Sequence, residues 1–203
     1  MNNIMTKLLD AIVCQASSNV IEVVFGSTGT DTVWMADIED RAGWYFIKTT
    51  APLDAFAECG SKKQSSKLVD LPVRVYQTSW LARLGMTIPE DPKGYWVYNG
   101  EATSLSERIG AHYKGTDGTG CISISRYPPL RSHRWWVSYA YVREVFEKVF
   151  DEVTVPDGDR ERSVRVSLEQ AWRVKYGWPR LCLDLHKPRG RTEYEEYLRT
   201  LQT

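Results

Sequence analysis

Apolar positions along the chain follow two different spacings, and each spacing predicts a different kind of element. Apolar residues three and four positions apart predict helices, whereas β-branched and aromatic runs bounded by turn-forming residues predict strands. On this basis we predict helices over residues 4–14, 80–84, 103–114, 145–150 and 164–176. We predict strands over residues 20–25, 32–35, 43–49, 73–76, 95–98, 121–125 and 135–142. Residues 58–70 and 88–94 are predicted to be loops.

Turn and capping signals set the expected ends of several elements. Asn99-Gly100 predicts a turn after the strand at 95–98. Thr103 is the expected N-cap of the next helix, which Gly115 is expected to end. Strands and helices do not alternate regularly along the chain. We therefore predict an α+β fold with a small, mostly antiparallel sheet flanked by helices.

The composition is typical of a folded protein. With 203 residues, 42% hydrophobic and 26% charged, the chain can bury a core as one domain, or one domain with a modest elaboration. The four cysteines lie far apart and form no CxxC pair, which argues against a structural zinc site. Uncharged stretches are too short and too polar to span a bilayer, and we recognise no secretory signal. We therefore expect no membrane partner and a cytoplasmic location.

Charge is balanced over the whole chain but unevenly distributed along it. The 26 Lys and Arg residues equal the 26 Asp and Glu residues, a balance that gives no indication of a nucleic-acid partner. Residues 1–60 carry three basic and eight acidic side chains, whereas residues 160–203 carry ten basic and six acidic ones. A protein with one phosphate-facing side would show such an asymmetry, although charge alone favours an ordinary solvated surface.

The most informative segment reads YNGEATSLSERIGAH, from Tyr98 to His112. A predicted strand ends in Tyr98 and Gly100, a helix begins at once, Arg108 lies eight residues after Gly100, and His112 lies one turn later. This segment resembles the second half of the GIY-YIG nuclease motif. In that motif a strand ending in Tyr-Ile-Gly leads into a helix with an arginine and often a histidine four positions on. Asn99 stands where the family has isoleucine.

The first half of the motif, a strand reading Gly-Ile-Tyr, is similar to Gly43-Trp44-Tyr45. Tyr45 and Tyr98 lie 53 positions apart, so the resemblance implies an insertion between the two tyrosine strands. Tyr76 is the alternative to Tyr45 because it lies nearer to Tyr98. We prefer Tyr45 because it has the glycine and the flanking residues of the motif.

The family's third element is a glutamate on a later helix, followed by a proline and often an asparagine. Glu169 and Pro179 match the first two positions, and Cys182 stands at the asparagine position. The implied organisation is a β-containing N-terminal extension, a GIY-YIG-like domain and a basic tail, at residues 1–42, 43–182 (insertion at about 50–94) and 183–203.

The resemblance implies a divalent-metal-dependent endonuclease that hydrolyses DNA through Tyr45, Tyr98, Arg108, His112 and Glu169. Glu169 would hold Mg²⁺ or Mn²⁺ through oxygen, and Arg108 would bind the phosphate with its planar, charged fork. A tyrosine hydroxyl would position or deprotonate the attacking water, which requires its pKa near 10 to be lowered by the cation and the arginine. His112, with a pKa near neutrality, would accept that proton or orient the tyrosine.

DNA is the partner that this resemblance implies, and a homodimer is one assembly that would cut both strands. The residues expected to contact the phosphate backbone are Arg126, Arg131, Arg134, Arg173, Lys175, Arg180, Lys187 and Arg189. Trp135, beside Arg134, is expected either in the core or as a base-stacking residue.

Each candidate residue also has a structural interpretation. Tyr45 and Tyr98 would then be ordinary strand aromatics, and Glu169 would form an ion pair with Arg165 or Arg173. His112 would be a helix histidine with its hydrogen bonds satisfied. Under this interpretation none of these side chains has a chemical role.

Two alternatives remain for the whole protein. The positions that depart from the family motif are Asn99, Glu101 and Cys182. Because these departures bear on activity more than on fold, an inactive nucleic-acid-binding module on the same fold is one alternative. The other is an unrelated α+β protein with an accidental motif, which predicts that Tyr98, Arg108 and Glu169 do not converge in space.

Overall fold

The computed structural model describes residues 3–26, 32–59, 69–115, 120–150 and 158–182. Within these residues the chain forms seven α-helices and four β-strands. In chain order they are α1 (Asn3–Ser18), β1 (Val20–Glu22), β2 (Gly43–Thr49), α2 (Leu53–Ala57), α3 (Leu71–Arg83), β3 (Tyr95–Ala102), α4 (Leu105–Lys114), α5 (Pro128–Arg131), β4 (Trp135–Tyr141), α6 (Val142–Val149) and α7 (Gly158–Tyr176). Short 3₁₀ turns form at Val33–Met35 and Ile124–Arg126.

The four strands form one open antiparallel sheet in the order β1-β4-β2-β3. β2 pairs with both β3 and β4, so Tyr45 lies opposite Gly100 on one side and Tyr139 on the other. β3 is an edge strand of this sheet. The predicted α+β fold with a small antiparallel sheet is therefore confirmed, and β2 has the predicted bounds.

Residues 3–26 belong to the same sheet and the same core as the segment that carries the motif. β1 pairs with β4, and α1 contributes Leu9 and Ile12 to the cluster that contains Trp44 and Trp135. Trp135 is completely buried, so of its two expected roles it has the core one. Helix α1 is longer than predicted and strand β1 is shorter.

The prediction of a strand over residues 73–76 is wrong, because these residues lie inside helix α3. The side chain of Asp70 accepts a hydrogen bond from the backbone N–H of Val73, and Pro72 occupies the first turn. Both features stabilise a helix start, and they outweigh the strand preference of the Val-Arg-Val-Tyr run. The predicted short helix at 80–84 is the end of the same helix.

The predicted strands over residues 32–35 and 121–125 are also wrong. The first segment contains the 3₁₀ turn at Val33–Met35. In the second, Ser123 has a φ of 60°, a left-handed conformation that interrupts an extended chain. Neither segment therefore joins the sheet.

β3 continues to Ala102, so the predicted turn at Asn99-Gly100 is wrong. Both residues pair with β2, where Phe46 lies opposite Asn99 and Tyr45 lies opposite Gly100. Pairing with β2 therefore outweighs the local preference of Asn99 and Gly100 for a turn.

Helix α4 begins close to the predicted position, with a different cap. Its N-cap is Ser104 rather than Thr103, and the Ser104 side chain accepts a hydrogen bond from the backbone N–H of Glu107. Gly115 ends the helix in a left-handed conformation, as predicted.

Parts of two predicted segments lie outside the described residues. They are residues 60–68 of the predicted loop and the basic tail, which includes Lys187 and Arg189. Among the residues that are described, no helix combines the length and the apolar character needed to cross a bilayer.

Candidate active site

Two paired strands place the ring of Tyr45 against the backbone of Gly100. The two residues are Cα partners in the ladder between β2 and β3. A Cβ atom on Gly100 would lie only 2.6 Å from Cζ of Tyr45, closer than any van der Waals contact. The absence of a side chain at Gly100 is therefore what allows the tyrosine ring to lie there.

Helix α4 brings Arg108 and His112 to the hydroxyl group of Tyr45. The two residues are one turn apart and share a helix face. Nε2 of His112 lies 2.8 Å from the tyrosine oxygen, and Nε of Arg108 donates a hydrogen bond to the same oxygen over 3.3 Å. Three of the five predicted catalytic residues therefore meet at one oxygen atom.

The contacts of His112 establish its tautomer. The backbone N–H of Ile122 donates to Nδ1 over 3.2 Å, so Nδ1 carries a lone pair. Burial, together with the charge of Arg108, lowers the pKa of His112 well below its ordinary value, so the ring is neutral. Its single proton therefore lies on Nε2 and is donated to Tyr45.

The hydroxyl oxygen of Tyr45 thus accepts two hydrogen bonds, and its own proton is left for a third group. Burial and the neighbouring Tyr98 raise the pKa of Tyr45 well above 10, and the opposing effect of Arg108 is smaller. The expected lowering of this pKa by the arginine is outweighed, and Tyr45 is a neutral phenol in the free protein. Of the two roles expected for His112, orienting the tyrosine fits this geometry.

Tyr98 packs beside this group. Its ring stacks on that of Tyr45 with centroids 6.0 Å apart and lies 4.6 Å from the ring of His112. Burial raises the pKa of Tyr98 to about 12, so it is also a neutral phenol near pH 7. Burial lowers the pKa of Arg108, but its charge interactions and hydrogen bonds with both tyrosines outweigh that effect and raise it.

Helix α7 contributes Glu169 and Arg173, which form an ion pair one turn apart. This is one of the two pairs expected for Glu169 under the structural interpretation. Arg173 is 3% exposed, and it donates to Oδ1 of Asn99 over 2.7 Å and to the Asn99 carbonyl over 3.1 Å. The backbone N–H of Asn99 donates in turn to Sγ of Cys182 over 3.3 Å. Two departures from the family motif, Asn99 and Cys182, therefore contact each other, and Asn99 anchors Arg173.

The third departure, Glu101, also has a partner. Its Oε2 accepts a hydrogen bond from Nε of Arg165 over 2.8 Å, and Arg165 is 2% exposed. Arg165 also pairs with Glu161, so Glu101 shares one buried cation with a second carboxylate.

One cleft of about 280 Å³ collects four of the five predicted catalytic residues. Tyr45, Tyr98, Arg108 and Glu169 line it, and His112 is buried behind the two tyrosines. The convergence of Tyr98, Arg108 and Glu169 is the outcome that an accidental motif does not predict.

Sequence analysis missed Arg74 and Gln170, which also line the cleft. Arg74 lies on α3, inside the segment that was expected to be an insertion between the two tyrosine strands. The capping signal of Asp70 could have predicted the helix, but no local signal shows that the helix meets the cleft. Arg173 was expected at the DNA-facing surface and is buried in the cleft instead.

The remaining candidates among the described residues do not line the cleft. Tyr76, the alternative to Tyr45, is on α3 and does not line it. Arg134 forms an ion pair with Glu22, and Lys175 forms one with Asp10. The expected DNA contacts that do not line the cleft are Arg126, Arg131, Arg134, Lys175 and Arg180.

Two carboxylates of the cleft bear on metal binding. Glu169 and Glu101 line it, and no group of three or more His, Cys, Asp or Glu side chains suited to a metal occurs in the described part of the chain. Mg²⁺ often binds through one or two carboxylates and takes its other ligands from water and substrate phosphate. Glu169 therefore fits an ion that is shared with a phosphate substrate, with Arg173 as a competing cation.

Comparisons of the chain with protein-family models, with curated proteins and with solved structures found no match. Function is therefore inferred from the geometry and chemistry of the cleft.

Proposed function

We propose that this chain is a divalent-metal-dependent endonuclease of the GIY-YIG type, which hydrolyses phosphodiester bonds in DNA. The observation that carries the proposal is the convergence of Arg108 and His112 on the Tyr45 hydroxyl, with Glu169 in the same cleft. A tyrosine that only packs in a core needs one hydrogen-bond partner. Two donors on its oxygen instead fix the direction in which the phenol presents its own proton.

A phosphate group complements the charge of the cleft. Its charged lining residues among those described are three arginines and two glutamates, so cationic side chains outnumber carboxylates by one: Arg74, Arg108, Arg173, Glu101 and Glu169. Guanidinium groups bind phosphate oxygens through two parallel hydrogen bonds and stay charged at all relevant pH values. Arg108 is the arginine beside Tyr45, so it neutralises the phosphate that is attacked.

Tyr45 orients the attacking water. Because its oxygen already accepts hydrogen bonds from Arg108 and His112, the neutral phenol directs its proton to the water or to a phosphate oxygen. Because burial raises the pKa of Tyr45, the residue acts as a neutral phenol that orients the water rather than as a base that takes its proton. His112 is a positioning residue, since it touches Tyr45 rather than the substrate.

Glu169 is the residue that would hold the divalent cation. An ion held there would polarise the phosphate and lower the pKa of a bound water. Arg173, anchored by Asn99, fixes the position of the Glu169 carboxylate.

Nicking of supercoiled plasmid DNA tests the proposal. The wild-type protein is incubated with and without Mg²⁺ or Mn²⁺, beside Arg108→Ala and Glu169→Gln. We expect nicking that requires the metal and is lost in both variants. Arg143→Ala and Glu147→Gln are the controls with the same changes of side chain, because these residues form an exposed pair on α6 outside the cleft, and both should retain activity.

Nicking that survives in both cleft variants would contradict the proposed site. The second candidate function is an inactive nucleic-acid-binding module, and the ion pair between Glu169 and Arg173 favours it because that pair engages the carboxylate a metal requires. No cleavage by the wild type, with plasmid still retarded on a gel, would favour this second candidate.

A further inference from the structure

A second cavity lies on the face of the sheet opposite to Tyr45. Its volume is about 340 Å³, within the range of about 300–1,000 Å³ that is typical of small-ligand sites. Phe46 and Lys48 line it, and side chains alternate along a strand, so Tyr45 projects to the other face. We call this cavity the aromatic pocket. The lining residues that matter below are Phe46, Lys48, Trp96, Trp136, Trp172 and Tyr176.

A β-bulge in β3 divides two aromatic side chains between the aromatic pocket and the cleft. Lys48 pairs with Trp96, whereas Ile47 pairs with Tyr98, so Val97 is an extra residue in the ladder. Without the extra residue, Trp96 and Tyr98 would share a face because they are two positions apart. With it, Trp96 lines the aromatic pocket and Tyr98 lines the cleft.

The walls of the aromatic pocket present flat ring surfaces. The ring of Trp172 lies 5.0 Å from that of Phe46, 5.7 Å from that of Trp96 and 5.3 Å from that of Tyr176. Trp96 is 38% exposed in the free protein, so part of its ring surface is available to a ligand. Stacking on such rings is favourable for any planar aromatic group.

Two polar groups restrict the chemistry of the ligand. Trp172 is 2% exposed, and its Nε1 has no hydrogen-bond acceptor within the described part of the protein. A buried donor without an acceptor is unfavourable, so a ligand acceptor there would be stabilising. Lys48 adds a positive charge, with Nζ 5.7 Å from the ring centre of Trp136. A planar aromatic ligand with several acceptors fits these groups.

The aromatic pocket and the cleft share two elements. On α7, Glu169 of the cleft and Trp172 of the aromatic pocket are three residues apart, which is about 4.5 Å along the helix axis. On β3 the corresponding residues are Tyr98 and Trp96, and β3 is the edge of the described sheet. A nucleic-acid strand with a phosphate in the cleft therefore has only the β3 edge to cross to bring a neighbouring base to the aromatic pocket.

We propose that the aromatic pocket binds one unstacked base of the strand whose phosphate lies in the cleft. This proposal rests on the proposed function. A nucleobase offers a flat face to Trp96 and ring-nitrogen or carbonyl acceptors to Trp172 and Lys48, and base stacking on protein aromatics contributes strongly to single-strand binding.

The test is the affinity of the protein for labelled single-stranded oligonucleotides that carry one abasic site at successive positions, measured by fluorescence anisotropy in EDTA. For the wild type we expect one position at which loss of the base weakens binding at least about 5-fold. Trp96→Ala should weaken binding of the intact oligonucleotide to a similar extent and leave binding of that abasic oligonucleotide unchanged. Trp172→Phe, which keeps a ring and removes the N–H, should weaken the intact complex about 2- to 10-fold.

Trp80→Ala is the matched control, because Trp80 is an exposed tryptophan on α3 outside the aromatic pocket, and it should bind like the wild type. Circular dichroism checks that each variant is folded. Binding of oligonucleotides without any position-dependent loss would overturn the aromatic-pocket proposal and leave the proposed function intact. Failure of the wild type to bind any oligonucleotide would overturn the aromatic-pocket proposal.

Two further outcomes separate the aromatic-pocket proposal from a free-nucleotide site and from the proposed enzyme activity. Adenosine monophosphate that binds in a Trp96-dependent way, without any base dependence in the oligonucleotides, would show a free nucleotide as the ligand and overturn the strand-borne base. Base-dependent binding without metal-dependent nicking in the same preparation would support the aromatic pocket while contradicting the proposed enzyme activity.

Discussion

The backbone N–H of Ile122 donates a hydrogen bond to Nδ1 of His112, and this contact sets the direction of the hydrogen bonds in the cleft. A neutral histidine that accepts at Nδ1 must donate at Nε2, so the proton of Nε2 points at Tyr45. Tyr45 then cannot direct its own proton to the histidine. A residue outside the motif therefore determines which way the tyrosine hydroxyl faces.

Removal of this hydroxyl should abolish most activity and spare DNA binding. We expect Tyr45→Phe to lower the nicking rate by about 10²-fold, the scale of the loss when an attacking group is no longer correctly positioned. The arginines that bind phosphate remain, so the DNA dissociation constant in a gel-shift measurement should change little. Tyr76→Phe is the control, since Tyr76 does not line the cleft. A rate that falls in Tyr76→Phe but not in Tyr45→Phe would reverse the choice between the two tyrosines.

Buried His112 should make the protein less stable in mild acid. The folded-state pKa of His112 is lowered well below the unfolded value of 6.5, so below pH 6.5 the unfolded chain binds a proton that the folded protein does not. The free energy of unfolding should therefore decrease as the pH is lowered below 6.5, with a limiting slope of about 1.4 kcal/mol per pH unit from this group. Above pH 7 the histidine contributes no pH dependence.

Urea unfolding at pH 7.0, 6.0 and 5.0 measures this effect. His112→Gln lacks the titrating group, so its stability should fall less steeply over the same range, although its stability at pH 7 is lower. Equal pH dependence in the two proteins would mean that His112 becomes protonated in the folded state.

The motif segment was predictable because its determinants are local. In residues 98–112 a strand leads directly into a helix, and helical spacing alone puts Arg108 and His112 on one face. The turn predicted at Asn99-Gly100 does not form, because these residues pair with β2. That pairing joins distant parts of the chain, so local turn preferences cannot predict it. The same limit applies to Arg74, whose approach to the cleft depends on the tertiary position of α3.

Gly100 should tolerate no side chain, for a reason that concerns Tyr45 rather than backbone conformation. A Cβ atom at this position collides with the tyrosine ring, so Gly100→Ala must displace the hydroxyl from Arg108 and His112. A displacement of about 1 Å in a catalytic group can lower a rate about 10²-fold, and we expect a loss of nicking on that scale.

Gly110→Ala is the matched control on α4. A Cβ there would lie 3.4 Å from Cε of Met35, an ordinary contact, and alanine favours a helix over glycine by about 1 kcal/mol. We expect this variant to keep its activity and to unfold at a slightly higher temperature. Full activity of Gly100→Ala would show that the ring can move without loss of function.

Arg173 should contribute more to stability than any exposed ion pair of the protein. Its side chain is 2% exposed, and it joins Glu169 to Asn99. Arg173→Met removes the cation and leaves a largely buried carboxylate, which should lower the free energy of unfolding by about 3–5 kcal/mol. Arg143→Met, at an exposed pair of the same spacing, should change it by less than about 1 kcal/mol.

The double variant Glu169→Gln/Arg173→Met distinguishes the loss of an ion pair from the loss of packing. If the unpaired carboxylate causes the instability of Arg173→Met, neutralising Glu169 as well should restore part of the lost stability, measured by urea unfolding at pH 7. A double variant as unstable as the sum of the two single variants would mean that the charges do not interact. Such additivity would also mean that Arg173 does not compete with a metal ion for the Glu169 carboxylate.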